Sequence, residues 1–398
     1  MAQLNSKESP FSPGRPVSPE YFVARTAEIN RLRRSLTQVC AGKNENVFIT
    51  GPRGIGKSSL AAMIRNIAEK EFDLLTTHCL LGGVRNLEEM ARGVFQKLLQ
   101  DCQEKTLFDE LRGLFKRYIK SVTLFGIGVE FTQDRSDLYG LVENFIPTLR
   151  QVYQIVQKNG KKGILLILDD LNGITDLPHF SQFLKSTIDT IAVSGNTIPL
   201  FLVLVGIPER RNDLIRHQPS VSRIFDVVDL PVLTPSESED FFRNSFERQN
   251  LNIKSEALDF MIHLCGGYPM LLHEVGDSVF WANNDDCIDF QDAYNGSMTA
   301  AENVGRKYLE PQIESVLKSP TYKSILGKIG SKKAFFSRKE LLGELPEKEA
   351  KNLDNFIPRL KKLGILEDAE IRGQYRFVNR LYQFYIWSLT NKLAKRQK

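Results

Sequence analysis

The chain has 398 residues, of which 42% are hydrophobic and 25% charged, with 27 Gly and 17 Pro; this composition excludes a disordered, collagen-like or disulfide-stapled protein and, at about 100 to 200 residues per domain, predicts two or three domains. The net charge of +5 is unevenly spread: residues 319–398 hold 18 Lys+Arg against 8 Asp+Glu, a net +10, and residues 1–318 hold 35 against 40, a net −5. Cys40, Cys79, Cys102, Cys265 and Cys287 form no CxxC pair and read as free thiols, which argues against zinc, and the strongest apolar runs, 164–168 and 200–205, are too short to span a bilayer, so a cytoplasmic protein with no membrane partner is expected.

Residues 6–20 (SKESPFSPGRPVSPE) are rich in Ser and Pro without any period, and predict an extended leader on the surface over 1–20. A helix is expected from near Thr26, where Ile29, Leu32 and Leu36 have helical spacing. A polar turn then leads to a strand, Val47 to Thr50, a glycine-rich turn, and a second helix from Ser58 to about Lys70. Further strands are predicted at Leu74 to Cys79, Ile164 to Leu168, Leu200 to Val205 and Phe225 to Leu230; short continuous apolar runs separated by helical sequence imply a parallel sheet covered on both faces, an α/β fold. Between them a hairpin is expected over Ser121 to Phe131, turned by glycines, and a helix from about Asp137 to Lys158.

After Pro231 the strands stop. Thr234 caps one helix, and helices at about Ser255 to Cys265 and Pro269 to Ala282 meet at Gly266-Gly267-Tyr268-Pro269, with glycine after one helix and proline just inside the next. The end of the chain reads as helices at Tyr322 to Ile329, Arg338 to Leu345 and Ala350 to Lys362, two short strands around Gly373, and a final helix from about Arg380 whose Tyr382, Phe384, Tyr385 and Trp387 read as core. That order predicts a winged helix. The expected domains are a core over 21–233, a helical lid over 234–318 and the winged helix over 319–398.

The segment Gly51-Pro52-Arg53-Gly54-Ile55-Gly56-Lys57-Ser58-Ser59 satisfies GxxxxGK[ST] between a predicted strand and a predicted helix. Glycines let successive amides curl around phosphate oxygens, the helix N-terminus adds positive potential, Lys57 reaches the β- and γ-phosphates, and the Ser58 hydroxyl ligates Mg²⁺. The apolar strand Ile164 to Leu168 ends in Asp169 and Asp170. Asp169 is expected beside Ser58 to hold the metal, and Asp170 is read either as the carboxylate that polarises the attacking water or as a solvated acid at a strand end.

These passages resemble the AAA+ and STAND branch of P-loop ATPases, especially bacterial and archaeal ATPases related to origin-recognition initiators, whose chains run from ATPase core through helical lid to winged helix. The likeness rests on Tyr21 to Glu28 (YFVARTAE), Gly51 to Ser59, Ile164 to Asp170, and Gly266 to Leu272, which looks like the STAND GxP signature. It implies ATP and Mg²⁺ as cofactors, Val23 and Arg25 on the adenine side, and Pro269 closing over the base. It further implies Arg223 as an arginine finger presented to a neighbouring subunit, the other reading being a surface Arg that balances Asp226. Arg210 and Arg211 fall near the family's sensor region, or are solvated.

This sequence departs from the family pattern in two places. Ala24 stands where the family has Gly, and the lid helix Pro269 to Ala282 contains no Arg or Lys, leaving His273 either near the phosphates or in the core. The resemblance then implies slow hydrolysis, with nucleotide as a conformational lock. In the C-terminal module Lys351, Arg359, Lys361 and Lys362 lie on or beside the third helix, Arg372 and Arg376 flank the wing glycine, and Lys392, Lys395, Arg396 and Lys398 form a basic tail. Duplex DNA contacts through 319–398 are expected from them, while Leu353, Phe356, Ile357, Leu360 and Leu363 assign much of the third helix to core. The functional expectation is a Mg-ATP-dependent switch acting on or near DNA; the alternative is a STAND-type signalling or defence switch whose winged helix makes protein contacts only. Its partner would be a homo-oligomer or a separate effector protein.

Overall fold

A computed structural model describes residues 8–396 other than 103, 116–120, 125–126, 131–141, 194–196, 312, 314–317 and 333–334. The chain divides into two compact units, one running from Pro16 to Pro231 and the other from Val232 onward together with the N-terminal residues up to Arg15. Among the described residues no helix is long and apolar enough to cross a membrane.

The first unit carries strands β1 (Glu45–Thr50), β2 (Leu74–Leu80), β3 (Ser121–Leu124), β4 (Ile127–Glu130), β5 (Gly163–Asp169), β6 (Leu200–Val205) and β7 (Asp226–Asp229). Five of them form one sheet in the order β2-β5-β6-β1-β7, every neighbouring pair parallel. All residues of β5 and β6 are buried, so both faces of the sheet are covered, as continuous apolar runs require. Ile49 of β1 lies beside Val205 of β6, and Leu168 of β5 beside Leu204. The carboxyl ends of β1 and β5 therefore emerge at one edge with β6 between them, the place where parallel α/β sheets bind ligands.

The helices of this unit are α1 (Thr26–Cys40), α2 (Lys57–Glu71), α3 (Leu87–Asp101), α4 (Lys105–Phe115), α5 (Phe145–Lys158), α6 (Pro178–Val193), α7 (Pro208–His217) and α8 (Val221–Ile224). The sequence reading left out α3, α4, α6, α7 and the one-turn α8. In α3, Met90, Ala91, Val94, Phe95, Leu98 and Leu99 make a single buried stripe, and the Asn86 side chain caps the helix by accepting the Glu89 N–H at 2.8 Å. By contrast α7 buries Leu214 alone, so its apolar period is too weak to read. The hairpin is present as the antiparallel pair β3–β4; its expected end at Phe131, and the expected helix start at Asp137, lie outside the described residues.

In the second unit α9 (Pro235–Glu247), β8 (Asn252–Ile253), α10 (Ser255–Cys265), α11 (Pro269–Ala282), β9 (Cys287–Ile288) and α12 (Phe290–Val304) follow in order, α12 running on as a π-turn over Gly305–Leu309. The strands do not quite stop after Pro231, because β8 and β9 pair over two residues each. The rest comprises α13 (Pro320–Gly330), β10 (Phe336–Ser337), α14 (Arg338–Glu344), α15 (Glu347–Ala350), α16 (Leu353–Lys362), β11 (Leu366–Asp368), β12 (Gln374–Phe377) and α17 (Arg380–Arg396). The helix expected from Ala350 is thus split in two, and β10, absent from the sequence reading, completes an antiparallel sheet in the order β10-β12-β11.

The first seven residues of the expected extended leader lie outside the described residues, and the rest does not stay on the surface throughout, because Pro10, Phe11 and Val17 are buried. Phe11 is 5% exposed and packs its ring against Phe246 at 5.1 Å, Phe241 at 5.8 Å and His273 at 6.2 Å. A Cβ on Gly276 of α11 would collide with the Phe11 ring, so that glycine is what admits it. Next to it the Ser12 N–H donates to His273 Nδ1 at 3.2 Å. An aromatic worth about 2 to 3 kcal/mol of burial outweighs the surface preference of its Ser/Pro-rich neighbours.

Candidate nucleotide site

The loop between β1 and α2 owes its shape to three glycines with positive φ, Gly51 at 143°, Gly54 at 78° and Gly56 at 95°. A side chain at any of these would be strained, and a Cβ on Gly51 would also press to 3.1 Å from the Leu230 carbonyl and 3.0 Å from Ile55. Ile55 is fully buried and pins the middle of the loop, while Pro52 and Arg53 are exposed. Gly56 is the N-cap of α2, so the helix starts at Lys57 with its free amides at the loop.

Lys57 Nζ donates to the Gly51 carbonyl at 2.9 Å and the Pro52 carbonyl at 2.8 Å, which folds the ammonium back over the loop. Burial pulls its pKa below the ordinary lysine value, and the negative charge of Asp169 opposes that shift. Glu209, in the first turn of α7, acts on the same ammonium in the same sense as Asp169. Ser58 is half-buried; Ser59 is buried, and its hydroxyl accepts the Val17 N–H at 3.1 Å.

Asp169 closes β5 at 3% exposure. Its Oδ1 accepts the Asp170 N–H at 2.7 Å and its Oδ2 lies 3.0 Å from His78 Nε2 on the neighbouring strand β2. The fold therefore brings the glycine loop, Lys57 and Asp169 together. Asp170 is exposed, holds a left-handed backbone (φ 53°), and accepts a hydrogen bond from the Asn172 side chain; among the described residues it makes no hydrogen bond or ion pair with the 51–58 loop.

Arg25 is 5% exposed, and its guanidinium donates to the Ile55 carbonyl at 3.2 Å and pairs with Glu28 at 3.5 Å. It braces the loop from within the protein; nearby Val23 is half-buried. Ala24 and Arg25 are both left-handed, at φ 67° and 64°. Left-handed backbone costs an alanine about 1 to 2 kcal/mol, against about 0.4 to 1 kcal/mol for the extra unfolded-state freedom of glycine. Ala24→Gly is therefore expected to raise stability by about 0.5 to 1 kcal/mol, read as a higher urea midpoint with unchanged slope.

Arg223 is exposed and has no ion-pair partner among the described residues. It does not balance Asp226, whose carboxylate is gripped by both Nε and Nη2 of Arg31, the first at 3.0 Å. Arg210 is bonded to Asp176 at 2.8 Å and Asp213 at 3.0 Å. In the second unit Pro269 opens α11, and His273 is a core residue: burial pushes its pKa down to about 4, and its ring meets Phe241 edge-on at 4.9 Å. Sequence reasoning missed His78 and the bracing role of Arg25, since neither follows from a spacing.

Residues 21–192 match the family model of the AAA ATPase domain. No curated protein sequence matches the chain. Among solved structures, it is similar to a Walker-type ATPase of Pyrococcus abyssi, at TM-score 0.52 and 18% identity over 94% of this chain and 98% of that one. It is also similar to the ORC2 protein of Aeropyrum pernix in its ADPNP-ADP complexes, at TM-score 0.60 and 12% identity over 98% and 100%. At such identities the likeness is one of fold, and the fold is that of AAA+ P-loop ATPases.

Proposed function

We propose that this chain, a P-loop ATPase of the AAA+ type by family match and fold, is a slowly hydrolysing Mg-ATP switch that acts on or near DNA. One observation carries the nucleotide half of the reading: a loop turned by three left-handed glycines, with Lys57 and a buried Asp169 in electrostatic contact beside it. That donor set fits a magnesium nucleotide, because Mg²⁺ takes one or two protein oxygens and completes its shell with phosphates and water. Ser58 and Asp169 would hold the ion, which when bound neutralises charge on the phosphate oxygens.

The amides from Gly54 to Ser58 bind phosphate, and Lys57 exchanges the Gly51 and Pro52 carbonyls for phosphate oxygens. Val23 and Arg25 lie on the adenine side in this reading. Asp170 orients the attacking water and accepts its proton. Slow turnover is supported by α11, which has no Arg or Lys, and by His273, which is sealed in the core. The exposed Arg223 is then the cation that a second copy would contribute in an oligomer.

The DNA half rests on residues 319–398, where α13, α14 and α16, with the one-turn α15 between the last two, and the β10-β12-β11 sheet follow the order of a winged helix. Several of its cations are already paired: Arg338 with Asp354, Lys361 with Asp368, Arg376 with Glu367, and Lys351 with Glu347. Lys362 and Arg372 are exposed and without ion-pair partners among the described residues. The side chains of Lys392, Lys395 and Arg396, and all of Lys398, lie outside the described residues. Each phosphate contact adds about −0.9 to the slope of log affinity against log salt. The full chain is expected to bind a duplex of about 25 base pairs in fluorescence anisotropy at low salt, and Lys362→Glu with Arg372→Glu to lower that slope by about 2. Absence of binding at low salt would instead favour a STAND-type signalling switch with a separate protein effector, the reading to which the Gly266–Pro269 junction also lends itself.

A further inference from the structure

We propose that His78 is a positioning residue for Asp169: by holding one carboxylate oxygen it fixes the plane of the group and thereby sets the affinity of the nucleotide site for its divalent cation. This rests on the reading of Asp169 as the metal-holding carboxylate.

An ionised carboxylate buried as deeply as Asp169 needs hydrogen-bond donors. Among the described residues it has two, one on each oxygen: the Asp170 amide on Oδ1 at 2.7 Å and His78 Nε2 on Oδ2 at 3.0 Å. A single donor would leave the group free to turn about its Cβ–Cγ bond. A second donor on the other oxygen removes that freedom and leaves the remaining lone pairs of both oxygens aimed in set directions. Because an ionised carboxylate only accepts, the imidazole is the donor and carries its proton on Nε2.

The two strands fix where that donor sits. β2 pairs with β5 in parallel, with His78 opposite Ile167 and Leu80 opposite Asp169, so the ring reaches along the sheet edge from a backbone held by ladder hydrogen bonds. The ring is mostly covered, with 15% of the side chain exposed, which holds it in place. Its neighbours on β2 do other work: the Thr77 hydroxyl bonds Asp101 at 3.2 Å and Cys79 packs in the core. Of these three residues His78 is the one whose side chain reaches Asp169. Groups that orient a metal-holding side chain typically change metal affinity by 10- to 100-fold when removed.

The test uses the full chain with ADP and Mn²⁺ as probes. Mn²⁺ affinity of the protein–ADP complex is measured by electron paramagnetic resonance, and ADP affinity without metal by calorimetry in EDTA. His78→Ala is expected to weaken Mn²⁺ binding by about 10-fold or more and to leave metal-free ADP binding within about twofold. His78→Gln, whose amide nitrogen ends near the place of Nε2, is expected to recover most of the loss. His78→Asn, whose amide ends nearer Nδ1, is expected to behave as the alanine variant. Mn²⁺ affinity unchanged in both Ala and Asn variants overturns the proposal, and so does an equal loss of metal-free ADP binding that Gln does not restore, which would make His78 a fold residue. Should Asp169→Ala itself leave Mn²⁺ affinity unchanged, the metal-holding reading of Asp169 fails first.

Discussion

Lys57→Ala is expected to weaken ATP binding by more than a hundredfold, measured by calorimetry on the full chain, while the thermal midpoint moves by only a few degrees. Each charge-assisted hydrogen bond to a phosphate contributes about 1.5 to 3 kcal/mol, and two of them together give about 3 kcal/mol or more, a factor above one hundred. The fold should tolerate the loss. Burial of the ammonium is itself unfavourable, as its lowered pKa indicates, and what Lys57 gives back to the protein are two bonds to carbonyls of its own loop. Lys57→Met, which keeps most of the stem, separates the charge from the packing and is expected to lose the same affinity. ATP binding retained in full by either variant would remove this loop from the nucleotide site.

What the sequence made legible was whatever depends on neighbours in the chain. The glycines at 51, 54 and 56 and the lysine after them act through local backbone, so their spacing alone gives the loop, and the apolar run ending at Asp169 is likewise local. Contacts over long separations left no trace. His78 and Asp169 are 91 positions apart, Arg25 and Ile55 are 30 apart, and nothing in the composition of either segment marks its partner. Arg31 was likewise hidden, and with it the reason Asp226 does not need Arg223.

Helix α12 shows a different kind of illegibility. Ala293, Gly296, Ser297, Ala300, Ala301 and Val304 form its buried side, and all but the last are too small to give a strong apolar period. Their smallness is what lets α11 approach, since a Cβ on Gly296 would lie 2.5 Å from the Val279 Cα. Close helix packing thus erased the signal that announces a helix. Phe11 is the converse case: one aromatic in a Ser/Pro-rich stretch carries no period at all, yet the pocket made by Phe241, Phe246 and Gly276 decides its conformation.

Asp169→Asn is expected to lower ATP turnover by at least a hundredfold, measured as phosphate release, with metal-free nucleotide affinity nearly intact. The amide keeps the size of the carboxylate and an oxygen to accept the Asp170 N–H, and its NH2 then faces His78 Nε2, which accepts it once the imidazole proton moves to Nδ1, so the end of β5 should hold its shape. What is lost is a full negative charge in a buried place, where one charge is worth several kcal/mol to a cation and about 3 kcal/mol is enough for a hundredfold. The same substitution carries a signed consequence for pH. Burial already lowers the Lys57 pKa, and Asp169 is the largest influence raising it; without that charge the pKa falls further. ATP affinity should therefore be lost on the alkaline side at a lower pH in Asp169→Asn than in the parent chain, because the ammonium proposed to bind phosphate is deprotonated sooner. An alkaline limb that stays where it was, together with undiminished turnover, would mean that Lys57 and Asp169 do not share one site.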